Sequence, residues 1–175
     1  MFFIIKRSER VQVDAKYFGP DLKSHVMHKV RKKFEGVARE DMGYVLMVQS
    51  VLNMDALSGE LQEDGSALFN VDIMCVVFRP FRNEVLTATV TTVLPDGFFC
   101  ECGPVDIYIS NQTMPKDFRY DDAGEHPRFL NDTDVSYRLE QGTLVRVKVI
   151  GMRCANNTLR VVGSINEDYL GPMVD

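Results

Sequence analysis

Residues 94–110 read LPDGFFCECGPVDIYIS and hold two short aromatic and β-branched runs on either side of a Gly-Pro step. Such a step favours a turn, so we predict a hairpin with strands over 97–102 and 105–110. Phe98 and Phe99 are adjacent, and neighbouring side chains of a strand point to opposite faces. One ring is therefore predicted to fill a core and the other to lie on the outer face.

Three further segments on either side of this hairpin carry the same alternating, β-branched pattern. They predict strands over 84–94, 144–152 and 159–165. Between the hairpin and the last two strands lies a long interruption, residues 114–142, with prolines, many acidic residues and few periodic apolar ones. Five short strands with one long interruption are typical of the five-stranded oligonucleotide/oligosaccharide-binding (OB) barrel.

The N-terminal part is predicted to be a helix on a small antiparallel sheet. Pro20 suits the first helical position and Gly36 suits a C-terminal cap, with apolar residues at four-residue spacing between them. Residues 43–51 are almost all apolar, which predicts a strand covered on both faces. Residues 67–78 alternate, which predicts a half-buried strand. Turn residues between these strands predict a long hairpin tip near residues 57–66.

Pro80 separates these two patterns, and a proline cannot donate to a strand ladder. The sequence therefore predicts an α+β chain with two domains, residues 1–80 and residues 81–175. The net charge of −5 is confined to the second domain: residues 1–80 hold 11 basic and 11 acidic residues, whereas the remainder holds 9 and 14. Autonomous nucleic-acid binders usually carry the opposite sign.

The four cysteines predict no metal site. Cys100 and Cys102 share one face of a strand, but a tetrahedral centre needs about four converging ligands. Cys75 and Cys154 lie in other predicted strands, and no histidine is placed to join them. We predict buried thiols, and no metal or cofactor.

Two observations bear on where the chain works. The N-terminal stretch MFFII is too short for the apolar core of a signal peptide. No run reaches the roughly 18 apolar residues of a membrane span. We therefore expect an intracellular protein with reduced cysteines and no membrane partner.

Phe99 and Tyr108 fall on adjacent predicted strands. Aromatic rings on the outer face of an OB barrel are suited to stacking on nucleic-acid bases. Aromatic residues are also common in strands that bind nothing, so the pattern alone leaves a structural role open. No phosphate-cradling glycine loop or nucleophile motif occurs in the sequence, which predicts a non-catalytic protein.

Five segments together are similar to one known family. They are YFGP (17–20), VVFRPF (76–81), GFFCECGPV (97–105), VRVKVIGMR (145–153) and VGSINEDYLG (162–171). The chain resembles, over essentially its whole length, the stalk subunits of RNA polymerases: the seventh-largest subunit of eukaryotic RNA polymerase II and its counterpart in the archaeal enzyme. The EDYLG ending is the most specific element of this resemblance.

The resemblance implies a nuclear, non-catalytic polymerase subunit that forms a heterodimer with a smaller helical stalk subunit and docks on the polymerase core. It implies a tip domain related to a truncated ribonucleoprotein fold, followed by a barrel of the S-one RNA-binding type. The implied core-docking residues lie in the hairpin: Leu57, Gly59, Glu60, Leu61, Asp64 and Gly65. The implied contacts to nascent single-stranded RNA come from Phe99, Tyr108, Lys148, Arg153 and Arg160.

The sequence departs from the family's RNA-stacking pattern at Asp96, which stands where an aromatic residue is usual. Together with the negative net charge, this predicts weak RNA affinity. Two alternatives remain open at this point: the equivalent subunit of another nuclear polymerase, and a free-standing S-one-domain RNA-binding factor. A free-standing factor is expected to be basic, which this chain is not.

Overall fold

The computed structural model describes residues 1–54, 57–124, 126–134 and 136–173. The chain divides into two compact units, Met1–Arg79 and Pro80–Asp175.

In the first unit a helix packs on one face of a five-stranded antiparallel sheet. Its elements are β1 (Phe2–Val13), α1 (Leu22–Phe34), β2 (Val37–Arg39), β3 (Gly43–Val51), β4 (Gly59–Leu61) and β5 (Ala67–Phe78). The strand order is β1-β5-β3-β2, and β4 pairs with the beginning of β5. The predicted helix on an antiparallel sheet is confirmed, although α1 begins at Leu22 with Asp21 as its N-cap rather than at Pro20.

The apolar stripe of α1 supplies much of this unit's core. Val26, Val30 and Phe34 are fully buried, because their four-residue spacing puts them on the face that meets β1 and β3. The alternation of β5 is confirmed, since Val71 and Ile73 are likewise buried in the same cluster. The spacing of apolar residues was therefore a reliable guide for these two elements.

The prediction that β3 is covered on both faces is wrong. Only alternate parts of the strand are buried, and Met47 is 47% exposed. Two irregularities in its pairing with β5, at Val45/Met47 and Val48/Ser50, shift which side chains face inward. The nearly continuous apolar sequence of residues 43–51 therefore forms a bulged strand with one side facing solvent.

A shared carboxylate ties β1 to its neighbours. The side chain of Glu9 is only 14% exposed and accepts a hydrogen bond from Arg7 Nε at 2.7 Å. Lys33 Nζ donates to its second oxygen at 3.3 Å, and Arg39 Nη1 lies 3.8 Å away. Three cations therefore converge on one largely buried anion, which holds β1, α1 and β2 together.

The second unit is built around a closed ring of strands. Its elements are β6 (Val85–Leu94), β7 (Gly97–Cys102), β8 (Val105–Ser110), β9 (Phe118–Asp121), β10 (Arg128–Asn131), β11 (Arg138–Leu139), β12 (Leu144–Ala155), β13 (Thr158–Ser164) and β14 (Gly171–Pro172). Strand β13 pairs with β8 in parallel and with β12 in antiparallel orientation. Because β8-β7-β6-β12 are already neighbours, this double pairing closes a five-stranded barrel of the OB type.

The β7–β8 hairpin follows the predicted bounds. Phe98 is fully buried inside the barrel, whereas Phe99 on the opposite face remains partly exposed, as predicted. Gly97 adopts a φ of +153°, and a Cβ there would lie 2.1 Å from the Ile109 carbonyl oxygen. Only glycine allows the two strands to approach this closely at the start of the hairpin.

The long interruption is not an unstructured loop. Strands β9, β10 and β11 form a separate three-stranded antiparallel sheet. Its core includes Phe129 and Leu139, which are 2% and 0% exposed. Strands of two to four residues are too short to show the alternation that marks the barrel strands.

The cysteines are free thiols, and two of them correct the prediction that all four are buried. Cys75 and Cys100 are buried, whereas Cys102 and Cys154 are partly exposed. Burial raises the pKa of the Cys100 thiol to about 12, and its Sγ donates to the Ile107 carbonyl oxygen at 3.6 Å. Across the described ranges, no group of three or more metal-ligating side chains occurs, and no helix is long and apolar enough to cross a bilayer.

Candidate nucleic-acid interface

Two aromatic rings lie side by side on the outer face of the barrel. Phe99 on β7 is directly opposite Tyr108 on β8, and their ring centroids are 4.9 Å apart at an interplanar angle of 44°. Both residues are half-buried, so one side of the pair packs on the strands and the other is open to solvent. The Tyr108 hydroxyl donates to the Asp96 carbonyl oxygen at 3.2 Å, which holds the ring in place.

The third strand of this face extends the aromatic pair. Val162 on β13 is opposite Tyr108 and is 42% exposed. Gly151 on β12 is opposite Val162, and the space where its side chain would stand is empty. Phe99, Tyr108 and Val162 therefore form a continuous apolar row across three strands. We call this row the apolar shelf.

Two arginines flank the apolar shelf. Arg160 lies two residues before Val162 on β13 and lines the same cleft as Phe99 and Tyr108. Arg153 on β12 is directly opposite Arg160, and both side chains are exposed. Among the residues that the structure describes, no ion-pair partner neutralises either guanidinium. Both are therefore available to an anionic ligand.

Lys148 differs from these arginines because its ammonium group already forms an ion pair with a carboxylate. Its Nζ donates to both carboxylate oxygens of Glu167, at 2.7 and 2.8 Å. The pair is nineteen positions apart in the chain, so nothing in the local sequence indicates it. A phosphate would have to compete with Glu167 for this ammonium group.

Sequence reasoning missed two residues of this surface. Val162 joins the apolar shelf only through the parallel pairing of β8 and β13, which no local pattern reveals. Asp106 lines the cleft together with Phe99, Tyr108 and Arg160. Strand alternation carried the signal for Asp106, because residues two apart on a strand share one face.

The six predicted docking residues differ in how exposed they are. Leu61 is 77% exposed and Glu60 beside it is also exposed, so both side chains are open to solvent. Leu57 instead packs partly against the core cluster. Gly59 lies against the ring of Phe69, and a Cβ there would come within 2.6 Å of that ring.

The remaining two docking residues build the turn of the β4–β5 hairpin. The Asp64 carboxylate accepts hydrogen bonds from the Ser66 amide at 2.9 Å and hydroxyl at 2.6 Å, and from Gln12 Nε2 at 3.1 Å. These bonds, those from Ser66 first, hold the pKa of Asp64 below its usual value. Gly65 has a φ of +80°, the left-handed conformation that such a turn requires.

A closed barrel that presents half-buried aromatic rings, with nearby arginines that have no ion-pair partner among the described residues, is typical of single-strand nucleic-acid-binding modules. The sequence agrees, because residues 79–161 match the profile of the S1 RNA binding domain. This match supports an RNA-binding barrel in the second unit.

Full-length relatives identify the family. The chain is 36% identical to DNA-directed RNA polymerase II subunit RPB7 of Glycine max, covering 100% of this chain and 98% of that one. It is 34% identical to the subunit of the same name from Saccharomyces cerevisiae, covering 98% and 99%. DNA-directed RNA polymerase V subunit 7 of Arabidopsis thaliana is 33% identical over 78% of this chain and 75% of its own length.

The chain belongs to the family of RNA polymerase II subunit 7. This confirms the family resemblance and the prediction of a non-catalytic polymerase subunit with a role in transcription.

Proposed function

We propose that this chain is a stalk subunit that docks on the core of RNA polymerase II in the nucleus, in a heterodimer with a smaller helical subunit, and contacts nascent RNA. The first unit, of truncated ribonucleoprotein type, is the docking domain. The second unit is the RNA-contacting barrel of S-one type. The observation that carries the RNA contact is the Phe99–Tyr108 pair beside two arginines without ion-pair partners among the described residues.

The chemistry of the apolar shelf suits a single strand. A base stacked on Phe99 or Tyr108 gains about 1–3 kcal/mol, whichever base it is, since every base has a π-face. Arg160 lines the cleft with these rings and Arg153 lies opposite Arg160 on β12, so both can neutralise phosphates on either side of a stacked base. Lys148 contributes a third charge only if phosphate displaces Glu167.

The charges around the apolar shelf make this contact weak. The barrel half of the chain carries the whole net charge of −5, and only two cations of the candidate set are free of ion pairs among the described residues. Neutralising two phosphates of single-stranded RNA gives a salt slope of about −1.4 in log–log form. RNA delivered at high local concentration by a transcribing polymerase compensates for such an affinity.

Crosslinking inside the assembled polymerase tests the RNA contact. We expect Phe99→Leu with Tyr108→Leu to reduce crosslinking of this subunit to transcript about fivefold or more, the equivalent of one lost stack. Tyr169→Leu serves as the control, because Tyr169 is 91% exposed in the same unit but does not line the cleft.

The two outcomes of this test are distinct. Unchanged crosslinking in the double variant, with normal assembly, would refute the proposed RNA contact. Loss of both crosslinking and assembly would mean that the rings are needed for the fold of the barrel. The single variants, Phe99→Leu and Tyr108→Leu, would then be used to test the RNA contact.

The docking surface is tested at the tip of the hairpin. An apolar side chain that is 77% exposed, as Leu61 is, gains free energy when a partner covers it. We expect Leu61→Asp to weaken recovery of polymerase core subunits with this chain, whereas Glu63→Gln at an exposed position of the same turn should not. Equal recovery with both variants would place the docking surface elsewhere.

One alternative keeps the same mechanism but changes the enzyme. The similarity to subunit 7 of RNA polymerase V supports a stalk role in another nuclear polymerase. Co-purification separates the possibilities, because the proposed function predicts RNA polymerase II core subunits and a smaller partner in near-equal amount. A free-standing RNA-binding factor would instead be recovered without them.

A further inference from the structure

We propose that Asp106 gives the RNA contact a preference for guanine, and that it does so by accepting hydrogen bonds from the base stacked on Phe99 and Tyr108. This inference rests on the proposed RNA contact and adds a choice of base to it. A negative charge in an RNA-binding cleft weakens general RNA binding, so the presence of Asp106 there calls for a specific role.

The position of Asp106 follows from its strand. It lies two residues before Tyr108 on β8, so both side chains project from the same face, about 6.6 Å apart along the strand. Asp106, Tyr108, Phe99 and Arg160 line one cleft of about 560 Å³. Clefts of roughly 300–1,000 Å³ are typical of sites for small ligands, which is the size class of a single nucleobase.

The Asp106 carboxylate is free to bind a ligand. The side chain is exposed, and within the described part of the chain no hydrogen bond or ion pair engages its oxygens. The cleft lining holds two rings, one arginine and residues of β13 besides Asp106, and the acid opposite it on β7, Glu101, is not part of that lining. A base stacked on Tyr108 would therefore present an edge to an unoccupied anionic acceptor.

The donor pattern of the bases decides which one fits. An ionised carboxylate only accepts hydrogen bonds, and its two oxygens take a pair of parallel donors best. The Watson–Crick edge of guanine offers two adjacent donors, N1–H and the N2 amino group. Uracil offers one N–H between two carbonyl oxygens, and those oxygens face the carboxylate unfavourably. Guanine is therefore expected to bind better than uracil.

A neighbouring carboxylate provides a matched control. Glu101 lies directly opposite Asp106 on β7 and is also exposed, but it does not line the cleft. Removing either negative charge should relieve repulsion of phosphates and so strengthen binding of RNA that contains no guanine. Only removal of Asp106 should change the ratio between two bases.

The experiment uses the full chain and two fluorescent probes: a short uridine oligonucleotide and the same oligonucleotide with one central guanine. We expect the guanine probe to bind about fivefold more tightly, the lower end of what a bidentate contact provides. Asp106→Asn should bring the two affinities within about twofold of each other, because both probes gain from the lost repulsion but the guanine probe also loses its hydrogen bonds. Glu101→Gln should strengthen both and leave the ratio as in the unmodified chain.

The possible results separate the two proposals. Equal binding of both probes by the unmodified chain would overturn the guanine preference and leave the RNA contact standing. A preference that persists in Asp106→Asn would assign base reading to another group and also overturn the inference. Failure of both probes to bind, with no transcript crosslink in the assembled polymerase, would overturn the RNA contact itself.

Discussion

Replacing Gly97 with alanine probes the hairpin that presents Phe99. Gly97 starts β7, pairs with Ser110 and has a φ of +153°. An added Cβ would lie 2.1 Å from the Ile109 carbonyl oxygen and 2.9 Å from the Ser110 Cα. Ordinary carbon–oxygen contacts between strands are about 3.3–3.6 Å, so β7 and β8 must separate by more than about 1 Å at this point.

The cost follows from two contributions. Overpacking against backbone atoms, which cannot rotate away, costs typically about 1–3 kcal/mol. Placing an L-residue at a φ of +153°, a region almost restricted to glycine, adds about 1–3 kcal/mol. We therefore expect Gly97→Ala to lower the free energy of unfolding of the barrel by about 3 kcal/mol, which corresponds to a factor of about 100 in the opening equilibrium.

Hydrogen exchange measured by mass spectrometry reports the loss of stability separately for each strand. Amides of β7 and β8 should exchange about 100-fold faster in the variant, whereas peptides from β5 in the first unit should be unchanged. Gly151→Ala is the matched control, because a Cβ at Gly151 meets no atom within 4 Å. That substitution should be neutral or slightly stabilising, since it restricts the unfolded chain.

Two results would refute the reasoning. If Gly97→Ala exchanges like the unmodified chain, the close approach of the strands is not a constraint. If Gly151→Ala is destabilised as strongly, the barrel is sensitive to any added methyl group, and the contact at Gly97 explains nothing in particular.

Two further predictions concern buried charge and a buried thiol. Glu9→Gln, which removes the carboxylate shared by three cations, should cost about 2 kcal/mol and speed exchange of β1 amides about thirtyfold; Glu60→Gln at an exposed position should have less than about a threefold effect, and equal effects would contradict the role of Glu9. Because the pKa of Cys100 is raised from 9.0 to about 12, the unfolded chain loses this proton first, so barrel stability should fall as pH rises from about 9 towards 12. The urea midpoint of Cys100→Ala should decline less steeply over that range, and parallel declines would exclude this thiol as the cause.

The sequence was most informative where structure is local. The bounds of the β7–β8 hairpin, the buried Phe98 with Phe99 outside it, and the apolar face of α1 each follow from the period of side chains within one element. Residues of the site on one strand, such as Asp106 beside Tyr108, were accessible to the same reasoning.

Features that depend on distant pairing were not accessible. The row from Tyr108 to Val162 requires the parallel pairing of β8 with β13, and the engagement of Lys148 requires a carboxylate from the segment after β13. The bulges that expose one side of β3 and the very short strands of the β9–β11 sheet leave no periodic signal. Whether the Lys148 charge is free to bind phosphate was therefore harder to predict than the face on which the Phe99 ring lies.

The way the barrel closes has a consequence during synthesis. Strand β13 completes both the β8 and the β12 pairings, so a chain made only as far as Ala155 leaves two strand edges open. The last strand of the first unit ends at Phe78, so this unit can fold on the ribosome before β13 is made and the barrel edges are paired. Ribosomal pausing within β12 would therefore prolong the stage at which the growing chain is most prone to aggregate.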